Sequence, residues 1–398
     1  MKVLLVHTRY RVPGGEDSVV ETEAELLLRA GVTVERAEWD NRELDDRTVY
    51  GRIGAGLNTI WNPGAAARMS RLLRTFRPDV IHVHNIFPSA SPAIYFPARV
   101  TNVPVVQTLH NYRLQCLNGM HLRAGGPCEA CVGLLPWRGV VHSCYRNNRA
   151  ASFAVMAMIA THRMLKTWHR GIRVFIAPTK FARDLLVRGG LPPERFVVKP
   201  QVLRRDIGNG RHDGRFGLYV GRLSAEKGAW VAIEAWRKAA TGLPLIVVGQ
   251  GPDRERLLRI AGGDLGVRFT GELPQEEVWS LMQRATLLLV PSLVYEVAPM
   301  VIIEAFAVGL PFIVSDLGAL TELARDSGAG WLAPPSDTES WGRIIRLALA
   351  DGCDLARKGL NGRQTFEMYH APDQGAERLL QIYERAMTST TRGNSSIN

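Results

Sequence analysis

Apolar residues along this 398-residue chain follow two alternating rhythms. Residues 2–6 form a short apolar run closed by a glycine-containing turn. Residues 19–29 then carry apolar side chains at helical spacing until Gly31 stops them. Residues 32–39 alternate as a half-buried strand does, and 79–84 and 103–109 read as buried strands. The second half repeats the pattern. Strands at 216–220, 243–248, 267–270, 287–290 and 312–314 are separated by helices starting near Trp230, Pro252 and Glu276, and by one running through Ile303. Short β-rich runs alternating with helical stretches predict βαβ units and parallel sheets. Two such sets predict an α/β protein of two Rossmann-like domains, residues 1–199 and 200–373. The join falls in 199–214, where Arg204-Arg205-Asp206-Ile207-Gly208-Asn209-Gly210 has no apolar period. A last helix, 374–387, is expected to pack back on the first domain, and the polar tail 388–398 to be disordered.

Composition narrows the class. The chain is 46% hydrophobic and 22% charged, which is ordinary for a soluble globular protein. No apolar run approaches the ~20 residues of a membrane span. The first residues lack the pattern of an export signal, so a cytoplasmic location is expected. The net charge of +11 is unevenly placed: residues 1–200 hold 27 basic and 15 acidic residues, and residues 201–398 hold 22 and 23. Between Val80 and Arg183 there are 12 basic residues and one acid, Glu129. Such a field suits an anionic partner, whether phosphorylated substrate, nucleic acid or acidic membrane; general solubility is the plainer reading.

The most informative stretch is Val290-Pro-Ser-Leu-Val-Tyr-Glu296, followed by Glu304 inside a mostly apolar helix. A carboxylate there is costly unless paired or hydrogen-bonded, so Glu304 either serves a ligand or makes an internal cap or ion pair. Ligands of open α/β sheets bind at the carboxyl ends of strands, where two acceptor carboxylates can grip sugar hydroxyls. Glu-x7-Glu before Ala-x-Ala-x-Gly-x-Pro resembles the retaining, nucleotide-sugar-dependent glycosyltransferases of family four, which have the GT-B fold. Gly221-Arg222-Leu-Ser-Ala-Glu-Lys227-Gly228, Gly249-Gln-Gly251-Pro, Gly318-Ala-Leu-Thr-Glu322 and Gly14-Gly15-Glu16 resemble four further motifs of that family, in the same order.

The resemblance implies two Rossmann-like domains facing across a cleft, the first binding the acceptor and the second the nucleotide-sugar. Arg222 and Lys227, just after a strand, can bind both phosphates of a diphosphate and stabilise it as a leaving group. Gly14 and Gly15 are expected to adopt positive φ and let backbone approach a ligand. Glu304 would hold the ribose, and Glu296 would face the donor sugar. His110, at the end of the strand 103–109, would lie beside the donor sugar and acceptor; of His82 and His84, at least one should be core. Gly221, Gly251 and Glu322 join the donor-binding set. The implied reaction is glycosyl transfer with retention, without a catalytic metal, to a glycan or lipid-diphosphate acceptor. One departure bears on the donor sugar: Val297-Ala298-Pro299 stands where the family often has Gly-Phe-Gly or Gly-Phe-Pro. A sugar-nucleotide epimerase and a zinc-stabilised nucleic-acid-binding protein are the alternatives. The second leaves Glu-x7-Glu unexplained, so no nucleic-acid partner is expected.

Four of the five cysteines fall in a presumed insertion at 111–149, as Cys116-x11-Cys128-x2-Cys131-x12-Cys144. One tight Cys-x2-Cys pair favours structural zinc, with another metal or free thiols open. Cys353 reads as a buried or bystander thiol. Residues 150–170 read either as a core helix with a wet end or as a helix lying on an anionic bilayer.

Overall fold

The computed structural model describes residues 1–11, 14–43, 48–263 and 266–388; the expected disorder of 389–398 lies outside them. The chain divides into two units. One comprises Met1–His121, Cys128–Pro200 and the described residues from Asp373; the other comprises Gln201–Pro372, with which Leu122–Pro127 groups.

The first unit is a six-stranded sheet of β1 (Lys2–Arg9), β2 (Thr33–Asp40), β3 (Val80–Val83), β4 (Val105–Thr108), β7 (Val174–Ala177) and β8 (Phe196–Val198), in the order β2-β1-β3-β4-β7-β8. Every pair in it is parallel. A parallel sheet is covered on both faces, so its inner strands need continuous apolar runs. Val3, Leu4, Leu5 and Val6 of β1 are all buried, whereas the edge strand β2 keeps Glu35, Arg36 and Glu38 partly exposed. The helix α1 (Gly15–Arg29) turns Val20, Ala24 and Leu27 inward. The helix Pro372–Thr388 returns to this unit and packs Leu379, Ile382 and Tyr383 against Val3, Leu5, Val106 and Val174. Thr388 is therefore the last residue of a helix rather than the first of a tail. Between β4 and β7 lie a small antiparallel hairpin, β5 (Leu122–Arg123) and β6 (Gly126–Pro127), and the helices Trp137–Val141 and Arg149–Met164.

The second unit is a parallel sheet of β9 (Gly217–Val220), β10 (Leu245–Val248), β11 (Val267–Gly271), β12 (Leu287–Val290), β13 (Phe312–Ser315) and β14 (Gly330–Ala333). Its order is β11-β10-β9-β12-β13-β14. Two apolar clusters cover its faces, one around Phe306, Phe312 and Phe366, the other around Trp236, Ile313 and Trp341. Chain order reverses between β9 and β12 here, and between β1 and β3 in the first unit. At such a reversal the connecting loops leave in opposite directions, so each unit offers a crevice at the carboxyl ends of that strand pair.

Candidate functional site

In the second unit, the turns after β9 and β10 are zipped together. Gly221 N–H donates to Val248 O at 3.1 Å, and Leu223 N–H to Gln250 O at 2.8 Å. Gly251 is held by this contact, since a Cβ there would sit 2.2 Å from Leu223 O. Gly228 closes the next turn at φ +66°, and a Cβ on it would sit 2.0 Å from Pro291 O. Glycine at 228 thus lets the Lys227 turn lie against the loop that follows β12. There Lys227 Nζ donates to Glu296 Oε1 at 2.7 Å, and Ser292 Oγ donates to the same oxygen at 2.8 Å. Arg222 is exposed, and its guanidinium makes no ion pair among the described residues.

Glu304 lies mid-helix in Met300–Val308 and neither caps that helix nor joins an ion pair among the described residues. Gln275 Nε2 and Trp279 Nε1 both donate to its Oε1, at 2.8 and 3.1 Å. Burial pushes its carboxyl up to about 7 against these two bonds. Glu322 stands in the first turn of the helix Ala319–Ser327, which follows β13.

The first unit gathers His110 with residues that its sequence position does not reveal. His110 follows β4, and its Nε2 lies 3.0 Å from His84 Nδ1, with the rings stacked at 19°. His84 and His82 are both buried. His82 is bound at 2.8 Å on one side by the Tyr383 hydroxyl and on the other by Thr108 Oγ1. Beneath them Glu23 of α1 is buried and takes a bond from the buried Lys199 Nζ at 2.7 Å. Burial pushes the Glu23 carboxyl up most strongly, but the Lys199 ammonium and its hydrogen bond, with His84 and His110, together hold the group below the usual range. Burial drives His84 and His82 well below the imidazole range and His110 down to about 4, so all three rings are neutral at pH 7. Beside them Asn111 Nδ2 donates to the Tyr10 hydroxyl at 3.3 Å, and that hydroxyl donates to Glu16 Oε2 at 2.9 Å. Burial lifts Glu16 to about 7. A small cavity of about 30 Å³ opens here, with His84, His110, Asn111, Arg113, Phe87 and Trp168 in its wall.

Several expectations change. Gly14 is extended at φ −144°, and neither Gly14 nor Gly15 has positive φ. Gly14 is the N-cap of α1 and its N–H donates to Asp17 Oδ2 at 2.9 Å, a conformation any residue adopts. Cys353 is exposed, not buried. The stretch 150–170 is not one helix: Arg149–Met164 buries Val155, Met158 and Ile159, and a separate turn of helix, Thr167–Gly171, buries Trp168. Arg163 is tied to the carbonyls of Leu134 and Leu114. The cysteines are unbridged. Burial and the neighbouring Cys116 and Cys128 raise the Cys131 thiol, while Cys144 packs beside Phe87, Leu117 and Val155. Among the described residues, the four sulfurs do not converge as a ligand set. Sequence reasoning missed Glu23, Lys199, Trp279 and Gln275. For Glu23 a signal existed, a carboxylate four residues after Val19 and four before Leu27 on the buried face of α1.

Comparison with known proteins shows the family and the fold. The profile described as Glycosyltransferase Family 4 matches residues 13–201, and that of Glycosyl transferases group 1 matches 204–365. An uncharacterized glycosyltransferase of Methanocaldococcus jannaschii is 34% identical over 322 residues, covering 78% of this chain and 76% of its own. The amylovoran biosynthesis glycosyltransferase AmsK of Erwinia amylovora is 34% identical over 213 residues, 50% of each chain, so the match spans half of that relative's length. HepE of Anabaena, solved in complex with UDP, shares the fold with a TM-score of 0.69 at 16% identity, over 96% of this chain and all of that one. The chain belongs to the family-four glycosyltransferases and has their GT-B architecture. Neither the epimerase nor the nucleic-acid alternative draws support from these matches.

The raised carboxyl of Glu304 makes a stability prediction. A folded-state value lifted from 4.5 to about 7 means that the folded chain holds the proton more tightly than the unfolded one. The stability it contributes is complete below about pH 4.5 and is lost as pH rises through 7. Glu304→Gln keeps both donated bonds and removes the titration. Denaturant unfolding should show the variant nearly equal to wild type at pH 4.5 and more stable at pH 8, by roughly 2–4 kcal/mol. A difference that does not grow with pH would mean that the carboxylate is not held in a dry site.

Proposed function

We propose that this chain transfers a sugar from a nucleotide-diphosphate sugar to a glycan or lipid-linked acceptor, with retention at the anomeric carbon and no catalytic metal. The observation that carries the proposal is the constellation at the β9/β12 reversal. Arg222 is unpaired, Lys227 is bound to Glu296, and Glu304 presents one carboxylate oxygen that accepts no protein bond among the described residues. A fork and a point charge suit a diphosphate, and carboxylates suit ribose and sugar hydroxyls. The HepE neighbour's UDP complex supports a nucleotide in this kind of fold. The bond from the anomeric carbon to the leaving phosphate oxygen breaks while the acceptor oxygen attacks from the same face. The acceptor's proton passes to the departing diphosphate. Arg222 and Lys227 stabilise the charge that builds on the diphosphate, and that is the term the protein supplies.

Arg222→Ala and Lys227→Ala should each raise the transfer barrier by about 2–4 kcal/mol with melting unchanged. Near-normal turnover in both would overturn the assignment. The product's anomeric configuration, read by NMR, tests retention.

The acceptor side points to an anionic bilayer. The helix α2 (Val49–Ile60) exposes Tyr50, Ile53 and Leu57, and Trp61 follows it. This stripe at helical spacing faces solvent, while α2 packs on Arg149–Met164. Leu134, Leu135, Trp137, Val141 and Phe153 are exposed on or beside the other helices of that group. Arg138, Arg146 and Arg149 are exposed among them, and the one acid of the stretch, Glu129, is bound by Arg188. No helix among the described residues is long and apolar enough to cross a membrane. Contact at the surface fits this pairing of aromatic and basic side chains. Each basic group near an anionic surface adds about 1 kcal/mol. Replacing Arg138, Arg146 and Arg149 with alanine should weaken sedimentation with anionic vesicles roughly a hundredfold and leave nucleotide affinity unchanged. Equal wild-type binding to neutral and anionic vesicles would favour a soluble acceptor.

A structural zinc on Cys116, Cys128, Cys131 and Cys144 stands on their spacing in the sequence alone, and its binding would require the four sulfurs, which do not converge among the described residues, to draw together. Elemental mass spectrometry of the purified chain should find about one zinc. A metal-free chain with full activity and normal melting would remove it.

A further inference from the structure

We infer that Glu23, acting through His84, fixes the tautomer of His110 so that His110 presents an unprotonated Nδ1 to a substrate hydroxyl. Glu23 and His84 are thereby positioning residues. The inference rests on the reading of His110 as part of the acceptor side.

The observations are geometric. His84 and His110 are both neutral, so a single proton lies in the 3.0 Å contact between His84 Nδ1 and His110 Nε2. The other nitrogen of His84, Nε2, is buried and has no hydrogen-bond partner; Glu23 Oε2 is likewise buried and unpartnered. These two atoms lie 3.5 Å apart. A proton on His84 Nε2 would face the Glu23 carboxylate across 3.5 Å, a charge–dipole attraction longer than a hydrogen bond, whereas a lone pair there would face the same negative charge. With the proton on Nε2, His84 Nδ1 accepts, His110 Nε2–H donates, and His110 Nδ1 is left with its lone pair. In the opposite arrangement two buried acceptors face each other and neither is satisfied, which is the costly state for buried polar groups.

Competing partners are already committed. Glu23 Oε1 takes the bond from Lys199, which also keeps the carboxylate ionised and therefore unable to donate. Glu23 Oε2 also lies 3.7 Å from His82 Nδ1, but His82 is bound at 2.8 Å on both sides. Glu23, His82 and His84 stand close enough together to hold a cation, yet the Lys199 ammonium already supplies the positive charge there. His110 is half-buried, and its Nδ1 makes no hydrogen bond among the described residues, so that lone pair is available to a ligand. A buried carboxylate that sets an imidazole's tautomer and orientation is a known device of hydrolases; here it acts one ring further away.

The experiment is 15N–1H correlation spectroscopy on full-length protein labelled at histidine, which reads the tautomer of each ring without any substrate. Wild type is expected to show His84 and His110 both protonated on Nε2. Glu23→Gln keeps an oxygen for Lys199 and turns an amide N–H toward His84 Nε2. It should therefore switch both rings to the Nδ1–H form. Transfer rate should fall about ten- to a hundredfold while nucleoside diphosphate affinity is unchanged. Should the buried Lys199 destabilise this variant, Glu23→Gln with Lys199→Met restores neutrality and carries the same expectation. A wild-type His110 found protonated on Nδ1, or a tautomer indifferent to Glu23→Gln, overturns the inference. A switched tautomer with unchanged transfer rate keeps the relay and removes instead the acceptor-side role of His110.

Discussion

A parallel sheet covered on both faces leaves no place for chemistry except at the ends of its strands. β1, β9, β12 and β13 are buried almost throughout, and their apolar runs can be interrupted only at a cost. Every polar group with chemical potential is therefore pushed to the carboxyl ends or onto the helix that follows. In the second unit this produces Arg222 and Lys227 after β9, Glu296 after β12, and Glu304 on the next helix. In the first it produces His84 after β3 and His110 after β4. The same rule applied twice, with a strand-order reversal in each sheet, yields two sites of opposite character.

That difference lies in how charge is held. The cations of the second unit are partly or fully exposed, and Lys227 is matched to a carboxylate that a ligand's own charge can replace. On the proposed function they would meet an anion that arrives and leaves. In the first unit the Lys199–Glu23 pair is almost completely buried. Burying two charges is expensive, and such a pair stabilises a fold less well than apolar packing of the same volume. On the inference above, the pair serves there to orient the neighbouring imidazoles, whose neutrality comes from burial. Rigid orientation in the first unit and exchangeable charge in the second are what the proposed transfer would ask of an acceptor side and a donor side.

Much of this was legible in the sequence, for identifiable reasons. Strands buried on both faces leave unmistakable apolar runs, and residues 287–290 and 312–314 are found within one residue of β12 and β13. Motifs at strand ends are local, so Arg222, Lys227, Glu296 and Glu304 could be named from their resemblance to the family's motifs. The helix α2 was not legible, because Gly51, Gly54 and Gly56 give it the composition of a loop; it folds against a neighbouring helix that tolerates small residues. β7, β8 and β14 are short strands without a motif. The 150–160 run, apolar all round, concealed which face is core. Glu23 and Lys199 are 176 residues apart, and nothing local in either announces the other. Gly14 misled for the opposite reason: a Gly-Gly pair signals positive φ, yet an extended N-cap satisfies the turn.

A crystal structure of the full chain with a bound nucleoside diphosphate tests the central claim most directly. The account predicts phosphate oxygens within hydrogen-bond reach of both Arg222 and Lys227, the Lys227–Glu296 contact loosened, and the ribose hydroxyls on Glu304. A nucleotide seated away from the β9/β12 crevice, with Lys227 still bound to Glu296 and Glu304 touching only Gln275 and Trp279, would contradict it.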